Sequence, residues 1–246
     1  VQSDDFKIYE KVVEKYKNHE GVFQKHKNAE DLIPAIDDIN KALYLFYVIQ
    51  LDYATKSQRL YEGALKLFKK NPNFFNPEHI LQITEIKLKK DLAHYLKPRY
   101  INEATLRYLE NSKKLKNEYQ NNPLRIFKQS KTAKSALEKV LEFRGFGPKI
   151  GNFFVRTMVN TFDINYQDIE NILPPVDIHD VRIAYLMGFI ESDEISQKNI
   201  NLTKKVWSDS CKKANISWLD FDKALWLLGS EGKPKSKTDI FHLLKI

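Results

Sequence analysis

Lys149 is the residue of this chain best suited to covalent chemistry, because it stands at the start of a predicted helix. It follows Pro148, whose fixed φ suits the first helical position, so Lys149 falls in the opening turn. The positive end of the helix dipole disfavours the ammonium form of a lysine there, and burial would act in the same direction. A neutral amine is a nucleophile, although such a lysine taken alone is more often a solvated or phosphate-binding group.

Three glycines surround this lysine: Gly145 and Gly147 precede it, and Gly151 follows. Backbone N–H groups with no Cβ beside them can hold an anion where a helix begins, so this turn could bind a phosphate of a nucleic-acid backbone. A helix C-cap followed by a proline-started helix explains the glycines equally well. A nucleotide-binding loop is less favoured, because the spacing is not G-x-G-x-x-G and a helix precedes it where a strand is needed.

Asp177 is the second candidate for chemistry. It precedes a predicted helix, and Asp180 follows three residues later in an approximate capping box. Taken alone, Asp177 is a structural N-cap. Beside a reacting sugar, an ionised carboxylate could also stabilise developing positive charge and accept a proton from an amine.

The elements that must position Lys149 are a helix, a hairpin turn and a second helix. The first helix is predicted from apolar residues at three- and four-residue spacing that end at Leu141, and the second runs to about Thr161. Upstream, the run Ala42–Ile49 is apolar on nearly every face, so the helix predicted over 35–50 is central to the core. The chain shows hardly any β-alternation, which predicts an all-α fold.

Composition and charge bound the function classes. The 246 residues are long enough for a substantial core, and the net charge of +8 favours an anionic partner such as DNA or RNA. The single cysteine, Cys211, excludes a disulfide framework and a cysteine-ligated metal within the chain, and the histidines lack the spacing of a metal site. No apolar run has the length of a membrane span, and we expect an intracellular, cytoplasmic protein associated with the nucleoid.

The hairpin at 143–152, followed by the segment 175–179 and Arg182, resembles the helix-hairpin-helix DNA glycosylases. The resemblance implies that Lys149 is the Schiff-base nucleophile of a bifunctional glycosylase and lyase, and that Asp177 assists at the sugar. It also implies two helical lobes with a cleft between them. The lobe that carries the hairpin at 143–151 is expected over 54–160, and the other lobe over 1–53 together with 161–246.

Within that family, the chain is most similar to the archaeal-type 8-oxoguanine DNA glycosylases. The interval from Lys149 to Asp177 is 28 residues, as in the longer class, and the pattern Asp-x-x-x-Trp-Leu-x-Gly is present from Asp222 to Gly229. The resemblance implies that Phe153 and Trp226 sandwich a flipped base, and that Asp222 bonds to the base edge. Without the resemblance, core packing would be the preferred role of the two aromatic residues. More weakly, the resemblance places Gln24 and Tyr61 near the base.

The resemblance therefore predicts a monomeric 8-oxoguanine DNA glycosylase and lyase that acts on damaged double-stranded DNA. Phosphates would lie against Gly145, Gly147, Gly151 and Arg182. No cofactor is expected, because the cysteines of the family's iron–sulfur loop are absent, although the resemblance allows a monovalent cation at the hairpin. Two alternatives stay open: a cluster-free endonuclease III-like glycosylase of oxidised pyrimidines, and a non-catalytic helix-hairpin-helix module that only binds DNA.

Overall fold

A computed structural model describes residues 5–24, 32–53, 55–169, 172 and 174–246. Thirteen α-helices and no strand occur in these ranges, which confirms the all-α prediction. The helices are α1 Asp5–Lys17, α2 Asp38–Ile49, α3 Ser57–Lys70, α4 Pro77–Gln82, α5 Glu85–Asp91, α6 Ile101–Tyr119, α7 Leu124–Lys128, α8 Ala133–Leu141, α9 Pro148–Thr161, α10 Ile178–Leu186, α11 Gln197–Ala214, α12 Trp218–Leu227 and α13 Lys237–Leu244. Single turns of π-helix follow α5 at Leu92–Leu96 and α12 at Leu228–Gly232.

The chain forms two compact units. The hairpin unit is Lys27–Ile172, and the terminal unit combines Val1–His26 with Leu173–Ile246. Their boundaries differ from those predicted for the two lobes, because 27–53 and 161–172 belong with the hairpin. Tyr166 donates a hydrogen bond to the Phe127 carbonyl at 2.8 Å, and Asp168 accepts hydrogen bonds from the N–H groups of Ala133 and Lys134 that open α8.

The core of the hairpin unit is built around α2, as the sequence predicted. All residues from Ala42 to Ile49 are buried. The Phe46 ring lies 5.1 Å from the rings of Phe143 and Phe146, and 5.7 Å from that of Phe154. Aromatic rings at such distances contribute packing energy beyond their buried area. The hairpin turn is therefore anchored through its two phenylalanines to the most buried helix of the unit.

The core of the terminal unit is a second aromatic cluster. The Tyr9 ring of α1 lies 5.9 Å from Trp207 of α11 and 5.2 Å from Phe221 of α12. These contacts join the N-terminal helix to helices more than 190 residues away along the chain. They position α12, which carries Asp222 and Trp226.

The net charge divides unevenly between the units. The hairpin unit carries 24 Lys and Arg residues against 17 Asp and Glu residues, a net charge of +7. The terminal unit carries 16 against 15, a net charge of +1. Attraction to a polyanion is therefore concentrated in the unit that carries the hairpin. None of the helices that the structure describes has the length and apolar character needed to span a bilayer.

Candidate nucleic-acid-binding and catalytic residues

The hairpin forms as the sequence predicted. Thr132 and Ser135 make a capping box that starts α8, which ends at Leu141. The Phe146 N–H then donates to the Phe143 carbonyl at 3.2 Å to close the turn. Gly147 is the N-cap of α9 and Pro148 its first residue, so Lys149 lies in the opening turn of this helix.

The three hairpin glycines have different structural requirements. Gly145 has a φ of +89°, and a Cβ there would lie 2.6 Å from Cδ of Arg107, so this position requires glycine twice over. A Cβ on Gly151 would lie 2.9 Å from Cδ2 of Leu141, which shows how closely α9 approaches α8. A Cβ on Gly147 would meet nothing within 4 Å. The backbone at Gly147 is therefore open to a ligand on the outside of the turn.

Asn111 of α6 holds the turn in place, and no local pattern in the sequence points to it. Its amide oxygen accepts from the Arg144 N–H at 3.0 Å, and its Nδ2 donates to the Arg144 carbonyl at 2.9 Å. Nδ2 also donates to Oε1 of Gln50 at 2.8 Å, at the end of α2. Asn111 is 1% exposed, so these groups are paired away from water, where an unpaired polar group is costly.

Ion pairs hold the Arg144 side chain on the same helix. Its guanidinium donates to both carboxylate oxygens of Glu103 and both of Glu110, at 2.9 to 3.1 Å. Arg107 donates from Nε to Glu103 and from Nη1 to the Gln50 carbonyl. The hydrogen bonds from Arg144 lower the pKa of Glu103 to about 2 against the opposing effect of burial, and Arg107 acts in the same direction.

Lys149 and Phe153 lie one turn apart on α9. Lys149 is exposed, so burial does not add to the effect of the helix dipole on its amine. Phe153 is half-buried, and the guanidinium carbon of Arg156 lies 4.7 Å from its ring centroid, within the range of a cation–π interaction. Arg156 itself is 4% exposed. One face of Phe153 is therefore covered by a cation from its own helix.

Tyr61 lies in the core of the hairpin unit. It is 3% exposed, and its hydroxyl donates a hydrogen bond to Oδ2 of Asp52. Ser57 donates to Oδ1 of the same carboxylate at 2.7 Å. These contacts join the start of α3 to the end of α2. The structure thus gives Tyr61 a role in packing, and a direct contact with a base would require it to leave this position.

Asp177 is the N-cap of α10, as the sequence predicted. Its carboxylate accepts from the His179 N–H at 2.7 Å, and its own N–H donates to Oδ2 of Asp180 at 2.7 Å. These bonds complete the capping box. The Asp177 side chain is half-buried, so the cap leaves part of the carboxylate accessible.

Three carboxylates, those of Asp177, Asp180 and Asp222, interact in the terminal unit. Asp180 is 2% exposed and Asp222 is 6% exposed. Burial raises the pKa of Asp180 well above its ordinary value, and the charges of Asp177 and then Asp222 add to the effect. Protonation of Asp180 removes one negative charge from this group.

The pattern Asp-x-x-x-Trp-Leu-x-Gly packs against the same helix. The half-buried Trp226 ring meets the His179 ring edge-on at 6.4 Å. A Cβ on Gly229 would lie only 2.7 Å from Cβ of His179, so the close approach to α10 requires the glycine of the pattern. Asp222, one turn before Trp226, thereby lies near the capping box of α10.

The remaining predicted residues of the terminal unit are exposed. Arg182 lies on the outer face of α10, and Gln24 ends the short 3₁₀ turn Gly21–Gln24. Phe153, Tyr61, Lys149 and the glycines belong to the hairpin unit, whereas Asp177, Asp222, Trp226, Gln24 and Arg182 belong to the terminal unit. The cooperation of the two sets at one site stays a prediction. In the ranges that the structure describes, no group of three His, Cys, Asp or Glu residues is arranged to hold a metal ion.

The fold is that of a DNA glycosylase. A solved structure of a thermostable thymine-DNA glycosylase matches 93% of this chain and 87% of its own chain, with a TM-score of 0.58 and 14% sequence identity. The sequence matches no protein-family model and no curated protein. At this identity the similarity shows the fold, which agrees with the resemblance carried by the hairpin.

Proposed function

We propose that the protein is a DNA repair glycosylase that removes a damaged base through Lys149 and then nicks the strand as a lyase. The observation that carries the proposal is the position of Lys149 within this fold: an exposed amine in the opening turn of α9, directly after the open backbone of Gly147. A helix start of this kind attracts phosphate through its N–H groups and dipole. The amine is therefore beside a place where a nucleic-acid backbone can bind.

In the proposed reaction, the amine of Lys149 attacks C1′ of the damaged nucleotide, and the bond from C1′ to the base breaks. The base leaves with the bonding electron pair and takes up a proton. Asp177 stabilises the positive charge on the sugar and accepts a proton from the amine. Opening of the sugar ring then gives an imine between Lys149 and C1′.

The imine makes the C2′ protons acidic, which explains strand cleavage without a further catalyst. Loss of one C2′ proton forms a double bond to C3′, and the C3′–O bond breaks with release of the 3′ phosphate end. Water then hydrolyses the imine and frees the lysine. Extrusion of the base costs a few kcal/mol of stacking, a cost of about the size that stacking on Phe153 and Trp226 can offset.

Trapping of the imine tests this chemistry directly. Borohydride should trap a covalent adduct between the protein and a duplex with an abasic site, and Lys149→Gln should abolish both adduct and nicking. Lys116→Gln, which changes an exposed lysine on α6, should leave both unchanged. The absence of an adduct with the wild-type protein, together with normal nicking by Lys149→Gln, would contradict the mechanism.

For the substrate, we propose 8-oxoguanine opposite cytosine, on the pattern from Asp222 to Gly229. The solved neighbour acts on thymine, which makes a mispaired thymine the matched competitor, and thymine glycol represents the oxidised pyrimidines. Base release from duplexes that differ only in this lesion ranks the three. Faster release of either pyrimidine would exclude the 8-oxoguanine assignment. Binding to an abasic duplex without any nicking would instead favour a non-catalytic DNA-binding module.

A further inference from the structure

The positive charge of the hairpin unit is concentrated in one stretch outside the hairpin. Residues 57–100 contain nine Lys and Arg residues against four Asp and Glu residues, a net charge of +5 out of the +7 of the unit. This stretch comprises α3, α4, α5 and the π turn Leu92–Leu96. None of its residues except Tyr61 entered the site predicted from the sequence.

Three cations of α3 form a continuous line, here called the α3 ridge: Arg59, Lys66 and Lys70. Their spacing of seven and four residues places them within about 40° of one another around the helix, over roughly 16 Å of its length. All three side chains are exposed. The ridge is therefore a linear array of cations on solvent-facing surface.

The π turn holds this line in place and extends it. A Cβ on Gly63 would collide with the Tyr95 carbonyl oxygen, so α3 and the turn are in backbone contact. Lys70 Nζ lies 5.4 Å from the Tyr95 ring centroid, and Arg59 donates to the Lys97 carbonyl at 3.5 Å. The exposed Lys97 thus joins the ridge at its Arg59 end.

Carboxylates near the ridge are fewer than its cations, and each makes its own contacts. Asp91 attracts Lys70 but is bound by Lys87 at 2.8 Å. Glu62 of α3 accepts a hydrogen bond from Gln58 at 2.8 Å. The ridge therefore keeps an excess of positive charge.

The ridge and the hairpin belong to the same unit and are linked through α6. After Lys97, a surface recess is lined by residues that include Arg99, Glu103 and Arg107. Arg107 also packs against Gly145 of the hairpin, and Glu103 binds Arg144. A backbone held at the hairpin could thus continue toward Arg59 over a surface of this one unit.

We propose that the α3 ridge binds phosphates of the DNA duplex that flanks the part held at the hairpin. The proposal rests on the proposed function for the identity of the partner. Lysine and arginine side chains that neutralise phosphates release condensed counterions, so such contacts add affinity that depends on salt but not on sequence. The ridge extends the contact with DNA beyond the damaged nucleotide.

Salt-dependent binding to two duplexes tests the proposal. Both carry the same uncleavable abasic analogue; the short one has about one helical turn, roughly 10 base pairs, and the long one about three turns. The test variant is the double substitution Lys66→Gln with Lys70→Gln. The slope of log K against log salt on the long duplex should become shallower by about 1.8, or about 0.9 for each phosphate that the variant no longer neutralises. The slope on the short duplex should not change.

The matched control replaces Lys212 and Lys213 by Gln, two exposed lysines on α11 of the terminal unit. An unchanged slope for the ridge variant on the long duplex, or an equal change in the control, would overturn the proposal. Because the analogue cannot be cleaved, the result is independent of catalysis by Lys149. Nicking without a ridge effect rejects the ridge alone, and a ridge effect without nicking rejects the enzyme alone.

Discussion

The two units use polar residues in opposite ways. In the hairpin unit, an amide side chain and an ion-paired arginine hold a glycine-rich turn, and the excess of positive charge faces outward. In the terminal unit the net charge is close to zero, and carboxylates gather at the start of α10, two of them buried. A basic surface suits binding of a backbone, whereas carboxylates shielded from water suit stabilisation of a cationic sugar.

Asn111→Leu should have the largest effect, because it breaks the neutral part of this contrast. The substitution leaves the N–H and carbonyl of Arg144 without their partner, and it also removes the bond to Gln50. We expect a loss of about 3 kcal/mol in the free energy of unfolding, which lowers Tm by roughly 6–12 °C. Thermal unfolding measures the change.

Asn117→Leu is the control on the same helix, at an exposed position. It should change stability by less than about 0.5 kcal/mol. Equal effects of the two substitutions would mean that the turn does not depend on the Asn111 amide.

The contrast also explains which features the sequence could reveal. Pro148 at the first turn of α9 and the capping box of Asp177 are local signals, so both were predicted correctly. Asn111 and Glu103 act on Arg144 across 33 and 41 residues, and no local pattern encodes such pairings. The lobe boundaries differed for the same reason, because the contacts of Phe46 and Asp168 bring distant segments together. Likewise, a tyrosine at position 61 does not reveal from sequence that it packs on Asp52.

Asp180→Asn should have an intermediate effect that depends on pH, and it tests the acidic half of the contrast. Burial raises the pKa of Asp180 above its value in the unfolded chain, about 3.9. The stability from the protonated acid is therefore complete below that value and is lost as the pH rises through the folded pKa. Asn cannot ionise and can still accept from the Asp177 N–H. The Tm of the variant relative to wild type should therefore rise with pH.

A pH series of thermal unfolding from acid to neutral conditions provides the measurement. The control, Asp209→Asn, changes an exposed carboxylate on α11 and should show a difference from wild type that stays nearly constant with pH. A flat difference for Asp180→Asn as well would show that Asp180 is ionised in the folded protein at every pH tested.

Arg144→Gln should have the smallest effect, although Arg144 makes more side-chain hydrogen bonds to carboxylates than any other residue discussed. Its partners Glu103 and Glu110 lie at the surface, and exposed ion pairs contribute little because water and salt screen them. We expect Tm to fall by no more than about 3 °C at low salt, and by less at high salt. The amide of Asn111 binds the backbone of residue 144, so the turn survives the substitution. A fall as large as that of Asn111→Leu, persisting at high salt, would show that the guanidinium rather than the amide holds the hairpin.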